Sequence, residues 1–97
     1  MNTYIYVLKL INRFEDPIQW TKNDESIIEE HFIRIKNDYE QGKILHVGKT
    51  LIEDKDGFGI VVFKEENLDL ANQYMLDDPA IKNHIMTGIC QAYKIVF

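Results

Sequence analysis

His31, inside EEHFIRIK, and Asp78, inside LDDPAIKN, are the side chains whose types best suit proton transfer in this chain. Imidazole is the side chain whose charge changes nearest neutral pH, which makes it the commonest general acid or base. A carboxylate that accepts from one ring nitrogen fixes the tautomer and leaves the other nitrogen as a base. Each residue also has a plainer reading. A histidine at the border of a helix face can simply hydrogen-bond to a carbonyl or carboxylate. Asp before Pro is a favoured helix start, with Asp as the cap and Pro in the first helical position. A cap that uses one carboxylate oxygen leaves the other to orient a histidine, so the two readings of Asp78 are compatible. Spacing alone does not show that His31 and Asp78 meet.

Other chemistry has weaker support. His46 shares the strand-like segment ILHVGK with Gly48, and His84 follows the second helical segment. Three scattered histidines without H-x-x-x-H spacing, and without a cysteine pair, give no expectation of a metal site. No Gly-x-Gly-x-x-Gly or phosphate-binding loop pattern occurs, so no cofactor is expected. Cys90 has no histidine beside it and reads as a small buried apolar residue in a reduced, cytoplasmic protein. Phe14 and Trp20 read as core or loop anchors. They become pocket-lining groups for an aromatic substrate if a cavity lies under their loop.

Composition narrows the partners. Sixteen acidic against eleven basic residues give a formal net charge of −5, which argues against nucleic acid, whose phosphates call for clustered Lys and Arg. No basic run suggests a membrane-surface helix. The first eleven residues, MNTYIYVLKLI, lack a basic start and a small-residue cleavage site and read as a strand. The 97 residues are expected to form one domain, 1–97.

The elements that must position His31 and Asp78 follow from periodicity. Residues 4–11 read as a strand with apolar residues on both faces. Residues 12–22 form a long connection, suited to a lid or pocket wall, in which Asp16-Pro17 repeats the Asp78-Pro79 device. Ile28, Phe32, Ile35 and Tyr39 predict one helix face over 23–41, capped by Asn23 or Asp24 and stopped by Gly42. On that wheel His31 lies about 70° from the stripe centre, at the edge of the buried face. Residues 44–52 and 58–64 predict a hairpin, a shorter helix starts near residue 67, and 87–97 predict a last strand.

The order β-α-β-β-α-β is the ferredoxin-like α+β arrangement, with both helices on one face of a four-stranded antiparallel sheet. Strands apolar on both faces predict that a second copy packs against the other side, giving a homodimer.

The segments EEHFIRIKNDYEQGKILHVGKT, GFGIVVF and ANQYMLDDPAIKNHIMTGICQAYKI resemble the YciI-like (YCII-related) family from about residue 20 to the end. The shared pattern is a helical His, a Gly ending the helix, a strand with a Gly, a Gly-led strand, and Asp-Pro after the second helix. The resemblance implies a dimeric α+β barrel of the kind shared with muconolactone isomerases. It also implies an active-site His-Asp pair, carried here onto His31 and Asp78. One branch of that family removes chloride from a chlorinated hydroxyquinol. This chain departs from the pattern in having Lys49 rather than Pro after Gly48, and Ala80-Ile81-Lys82 after Asp78-Pro79, which implies a different pocket.

Two function classes follow. One is a cofactor-independent isomerase or lyase for a small aromatic or enol-type molecule. In it His31 moves the proton, Asp78 orients His31, and Phe14, Trp20, His46 and Gly48 shape the substrate site. The other is a non-catalytic dimeric protein that uses the same cleft to hold a small ligand.

Overall fold

Tyr4, Tyr6 and Leu8 point to one side of the first strand and Ile5 and Val7 to the other, and this alternation organises the molecule. The computed structural model describes residues 1–12, 16–52 and 56–97. Strand β1 (Asn2–Leu10) runs between β3 (Gly59–Glu65) and β4 (Met86–Ala92), and β2 (Ile44–Lys49) lies outside β3. All pairings are antiparallel, in the order β2-β3-β1-β4. With α1 (Lys22–Glu40) after β1 and α2 (Leu68–Leu76) after β3, this is the expected ferredoxin-like α+β architecture. A 3-10 turn (Pro17–Gln19) and a single-turn helix α3 (Pro79–Lys82) are added to it.

The core lies between the sheet and the helices. Tyr4, Tyr6, Leu8, Val61 and Phe63 from the sheet meet Ile35, Ala71, Met75 and Ile81 from the helices. Phe63 packs edge-on against Tyr6 at 5.5 Å between ring centroids and lies 4.8 Å from Tyr74 of α2. Gly88 of β4 makes close packing possible at the other end. A Cβ there would sit 2.6 Å from Ile81 Cδ1 and 2.9 Å from Met75 Sδ. A side chain at this position would push α2 and α3 off the sheet.

The opposite sheet face carries Ile5, Val7, Ile60, Val62 and Ile89, brought together by the registers Ile5↔Val62, Val7↔Ile60 and Val7↔Ile89. Ile89 is 64% exposed there.

Local signals explain the helix ends. Thr21, rather than Asn23 or Asp24, caps α1. Its hydroxyl accepts from the Asp24 amide, and the Asp24 carboxylate accepts from the Thr21 amide, forming a capping box. Gly42, at φ +84°, takes the left-handed conformation just past the helix end. Asn67 caps α2, and Asp16 caps the 3-10 turn as Asp78 caps α3.

Two strands are shorter than the sequence suggests. β2 stops at Lys49, and beyond it the Thr50 amide donates to the Phe58 carbonyl while the Thr50 hydroxyl accepts from the Phe58 amide. β4 stops at Ala92, opposite Tyr4. Beyond it one bond, from the Tyr93 amide to the Thr3 carbonyl, remains before β1 runs out.

The buried face of α1 also differs from the expected stripe. Phe32 and Tyr39 are each 55% exposed, whereas Asp24, His31 and Ile35 are buried. The helix is rotated so that polar groups face inward: Asp24 closes the capping box with Thr21, and His31, Arg34 and Asp38 have partners on other elements. Arg34 reaches α2, where Nη2 donates to the Tyr74 carbonyl at 2.7 Å and the guanidinium lies 4.2 Å from the Tyr74 ring centroid. The Tyr74 hydroxyl in turn donates to Asp38. Hydrogen bonds to Tyr74 and Asp78, beside the buried Ile35, set how α1 sits.

Candidate active site

Asp78 follows α2 and starts α3, and the local sequence explains its position. Pro79 has no amide hydrogen and suits the first helical position, so Asp78 takes extended backbone and caps, with Oδ1 accepting from the Ala80 amide at 2.9 Å. The side chain is completely buried. A buried carboxylate is tolerated only when its oxygens are satisfied, and here three donors converge on it. Besides the Ala80 amide, His31 Nδ1 lies 2.6 Å from Oδ1, and the Tyr6 hydroxyl donates to Oδ2 at 2.8 Å.

The two residues that the sequence could not place together are therefore in contact, and the cap and the pair coexist. Burial pushes the Asp78 carboxyl up, but the hydrogen bond and charge of His31, with the Tyr6 and Ala80 donors, outweigh it and hold the group below its ordinary value. An ionised carboxylate only accepts, so Nδ1 of His31 carries the shared proton and Nε2 is the ring's other site. Burial, followed by the Asp78 charge and hydrogen bond, raises the Tyr6 phenol far above its ordinary range, so Tyr6 remains a neutral donor.

His31 is 3% exposed, and its ring forms part of the wall of a cavity of about 550 Å³. Among the described residues Nε2 has no hydrogen-bond partner, while Nδ1 is committed to Asp78. The cavity opens between the middle of α1 and the ends of β1, β2 and β3. Ile28, Phe32 and Ile35 line it on the helix side, and Leu8, Val47 and Val61 on the sheet side. The described part of the connection before α1 contributes Pro17 and Trp20 to the wall, in line with the pocket-wall expectation. Phe32 is exposed because it stands at the cavity rather than in the core.

The remaining expected substrate-site residues separate. Trp20 and Gly48 line the cavity, and Asp78 stands behind His31 without lining it. His46 does not line it. By register His46 faces the side of Val62, its ring lies over Gly48, and it borders a shallower groove with Phe32, Tyr39 and Leu45. Leu45 falls at the irregularity between Ile44 and His46 that shifts this register. Phe14 lies outside the described residues. His84 lies just past α3 at φ +60°, its amide donating to the Ile81 carbonyl, and does not line the cavity. The Cys90 thiol, on the helix side of β4, is pushed up by burial.

Tyr6 is the site residue that sequence reasoning missed. Tyrosines alternating along a buried strand need partners for their hydroxyls, and that demand is the one signal that pointed to it. Among the described residues no group of three or more His, Cys, Asp or Glu side chains is placed to hold a metal ion. Among the same residues no helix is long and apolar enough to cross a membrane. Compared with known proteins, the chain matches no protein-family model and no curated relative significantly.

Proposed function

We propose that this protein is a cofactor-independent isomerase or lyase that uses His31 as its acid–base group on a small aromatic or enol-type molecule. The observation that carries this reading is the His31 ring, which lines an apolar cavity while a buried carboxylate holds its Nδ1. In the reaction, Nε2 takes a proton from an acidic carbon or hydroxyl of the bound molecule. The Asp78 carboxylate stabilises the imidazolium that forms, and Tyr6 keeps that carboxylate in place. Returning the proton at another carbon completes an isomerisation. Expelling a leaving group with its electron pair completes an elimination, and the histidine then gives its proton to water. The apolar walls exclude water and favour a planar hydrocarbon body.

Deuterium wash-in tests this without knowledge of the net reaction. A panel of enolisable aromatic compounds is incubated with the protein in heavy water and followed by proton NMR. Wild-type protein is expected to accelerate exchange at one carbon of a ligand that binds, and His31→Gln to abolish the acceleration without loss of fold. Binding without any exchange would favour the non-catalytic ligand-holding reading. One feature supports that reading: no carboxylate lines the described cavity wall to act as a second base.

The active form in this proposal is a homodimer joined through the sheet faces that carry Ile5, Val7, Ile60, Val62 and Ile89. What supports it is the apolar character of that sheet face, on which Ile89 is exposed and Ile5, Val7 and Ile60 are half-buried. Light scattering should give twice the chain mass of 11.5 kDa. A single cysteine, Cys90, supports a reducing, cytoplasmic setting.

A further inference from the structure

Residues 93–97, YKIVF, continue past β4 at one edge of the sheet, and their apolar side chains stand open to water. Tyr93, Ile95, Val96 and Phe97 are all exposed, Phe97 completely. After the bond from the Tyr93 amide to the Thr3 carbonyl, no backbone bond among the described residues ties the segment to the sheet. In an extended segment Tyr93, Ile95 and Phe97 fall on one side. Such a strip gains by being covered.

A matching surface lies at the opposite edge. β2 has no neighbour on its outer side. Between it and α1 runs a groove formed by Phe32, Ile35, Tyr39, Leu45 and Val47, with Lys36 and His46 as its polar members. A groove beside a free strand edge suits an added extended segment, because the edge supplies main-chain bonds and the groove takes alternate side chains. Phe32, Ile35 and Val47 also line the His31 cavity, so a filled groove braces one wall of the site.

Symmetry brings the two surfaces together. Ala92, Tyr4, Phe63 and Ile44 form one row across the sheet, so the segment leaves the sheet at the end where β2 begins. A two-fold axis between facing sheets and parallel to their strands sets β2-β3-β1-β4 against β4-β1-β3-β2. Each segment then reaches the Tyr39 and Leu45 end of the partner's groove, and both copies are satisfied at once. Within its own protomer the segment is separated from the groove by β1 and β3.

We propose that residues 93–97 of one copy dock in the groove between α1 and β2 of a second copy of this chain, and that the second copy returns the contact. The inference rests on the homodimer reading and adds to it which segment meets which groove.

Sedimentation equilibrium of complementary variants tests it. Ile95→Lys puts a charge in the segment and Leu45→Asp puts one in the groove. Both positions are exposed, and amide NMR spectra check each fold. Where Leu45→Asp disturbs the fold, Tyr39→Asp on the helix side of the groove replaces it. Each variant alone is expected to weaken the dimer about tenfold or more, whereas Leu51→Asp, exposed and outside both surfaces, changes it by less than about twofold. Mixing the segment and groove variants should restore association about tenfold over either alone. Their heterodimer keeps one intact segment in one intact groove and sets Lys against Asp at the other contact. If either variant dimerises like the wild type, if Leu51→Asp weakens the dimer as much, or if the mixture stays as weak as its parts, the segment docking is overturned and the sheet-face dimer stands. If the wild type is a monomer at micromolar concentration, both fall.

Discussion

His31 Nδ1 lies 2.6 Å from Asp78 Oδ1, and that oxygen is the one that caps α3 through the Ala80 amide. Orientation of the histidine and initiation of a helix thus depend on a single atom, with Tyr6 holding the other oxygen.

Graded substitutions at Asp78 and Tyr6 resolve these duties. Asp78→Ala removes the cap and strands two buried donors, which should cost about 3–5 kcal/mol. Asp78→Asn keeps the cap but directs an amide at the Tyr6 hydroxyl, and should cost about 1–2 kcal/mol. Tyr6→Phe leaves Oδ2 without its donor and should cost about 1–3 kcal/mol. Urea unfolding measures all three. Nitrogen-15 NMR should find wild-type His31 protonated on Nδ1 and Asp78→Ala without that preference. A mixed tautomer in the wild type would mean that the carboxylate does not orient the ring.

Acid sensitivity follows from the direction of the Asp78 shift. Its folded-state value lies below the ordinary 3.8, so the stabilisation is complete above that value and is lost as pH falls through the folded value. Glu65, lowered by its hydrogen bond from Lys43, contributes in the same sense at the surface. Unfolding free energy should be flat with respect to these groups above about pH 5 and fall below about pH 4. In Asp78→Asn the fall should be shallower. Identical slopes for the two proteins would count against an ionised Asp78.

Packing at Gly88 gives a prediction independent of the polar site. Gly88→Ala drives a methyl into Ile81 Cδ1 and Met75 Sδ, and should cost about 1–3 kcal/mol. Ile81→Val removes the Cδ1 atom, so the double variant should recover part of the loss. Thermal melts of the four proteins in this cycle provide the measurement, and simple additivity would locate the strain elsewhere.

Much of the fold was legible because single segments carried their own instructions. The strand order, the glycine after α1 and both Asp-Pro caps needed only local chemistry. The face of α1 was not legible, because His31, Arg34 and Asp38 make their hydrogen bonds to Asp78 and Tyr74, whose positions depend on the folded chain. The lengths of β2 and β4 depended on where their partners ended, which alternation within a strand does not report. At the site, His31 and Asp78 were recognisable by type and Trp20 by its loop. Tyr6 was hidden because a strand tyrosine satisfies the apolar pattern while its hydroxyl partner lies 72 positions away.

The single turn of α3 is far shorter than a helix that persists alone in water, so it exists by docking on α1, β4 and its own cap. When that turn opens, the Asp78 carboxylate leaves with it and His31 loses its orienting group. Openings of this kind cost less than global unfolding. The site is therefore a local thermometer: on warming, the His31–Asp78 pair should dissolve while the sheet still holds, and loss of function should precede the main melting transition.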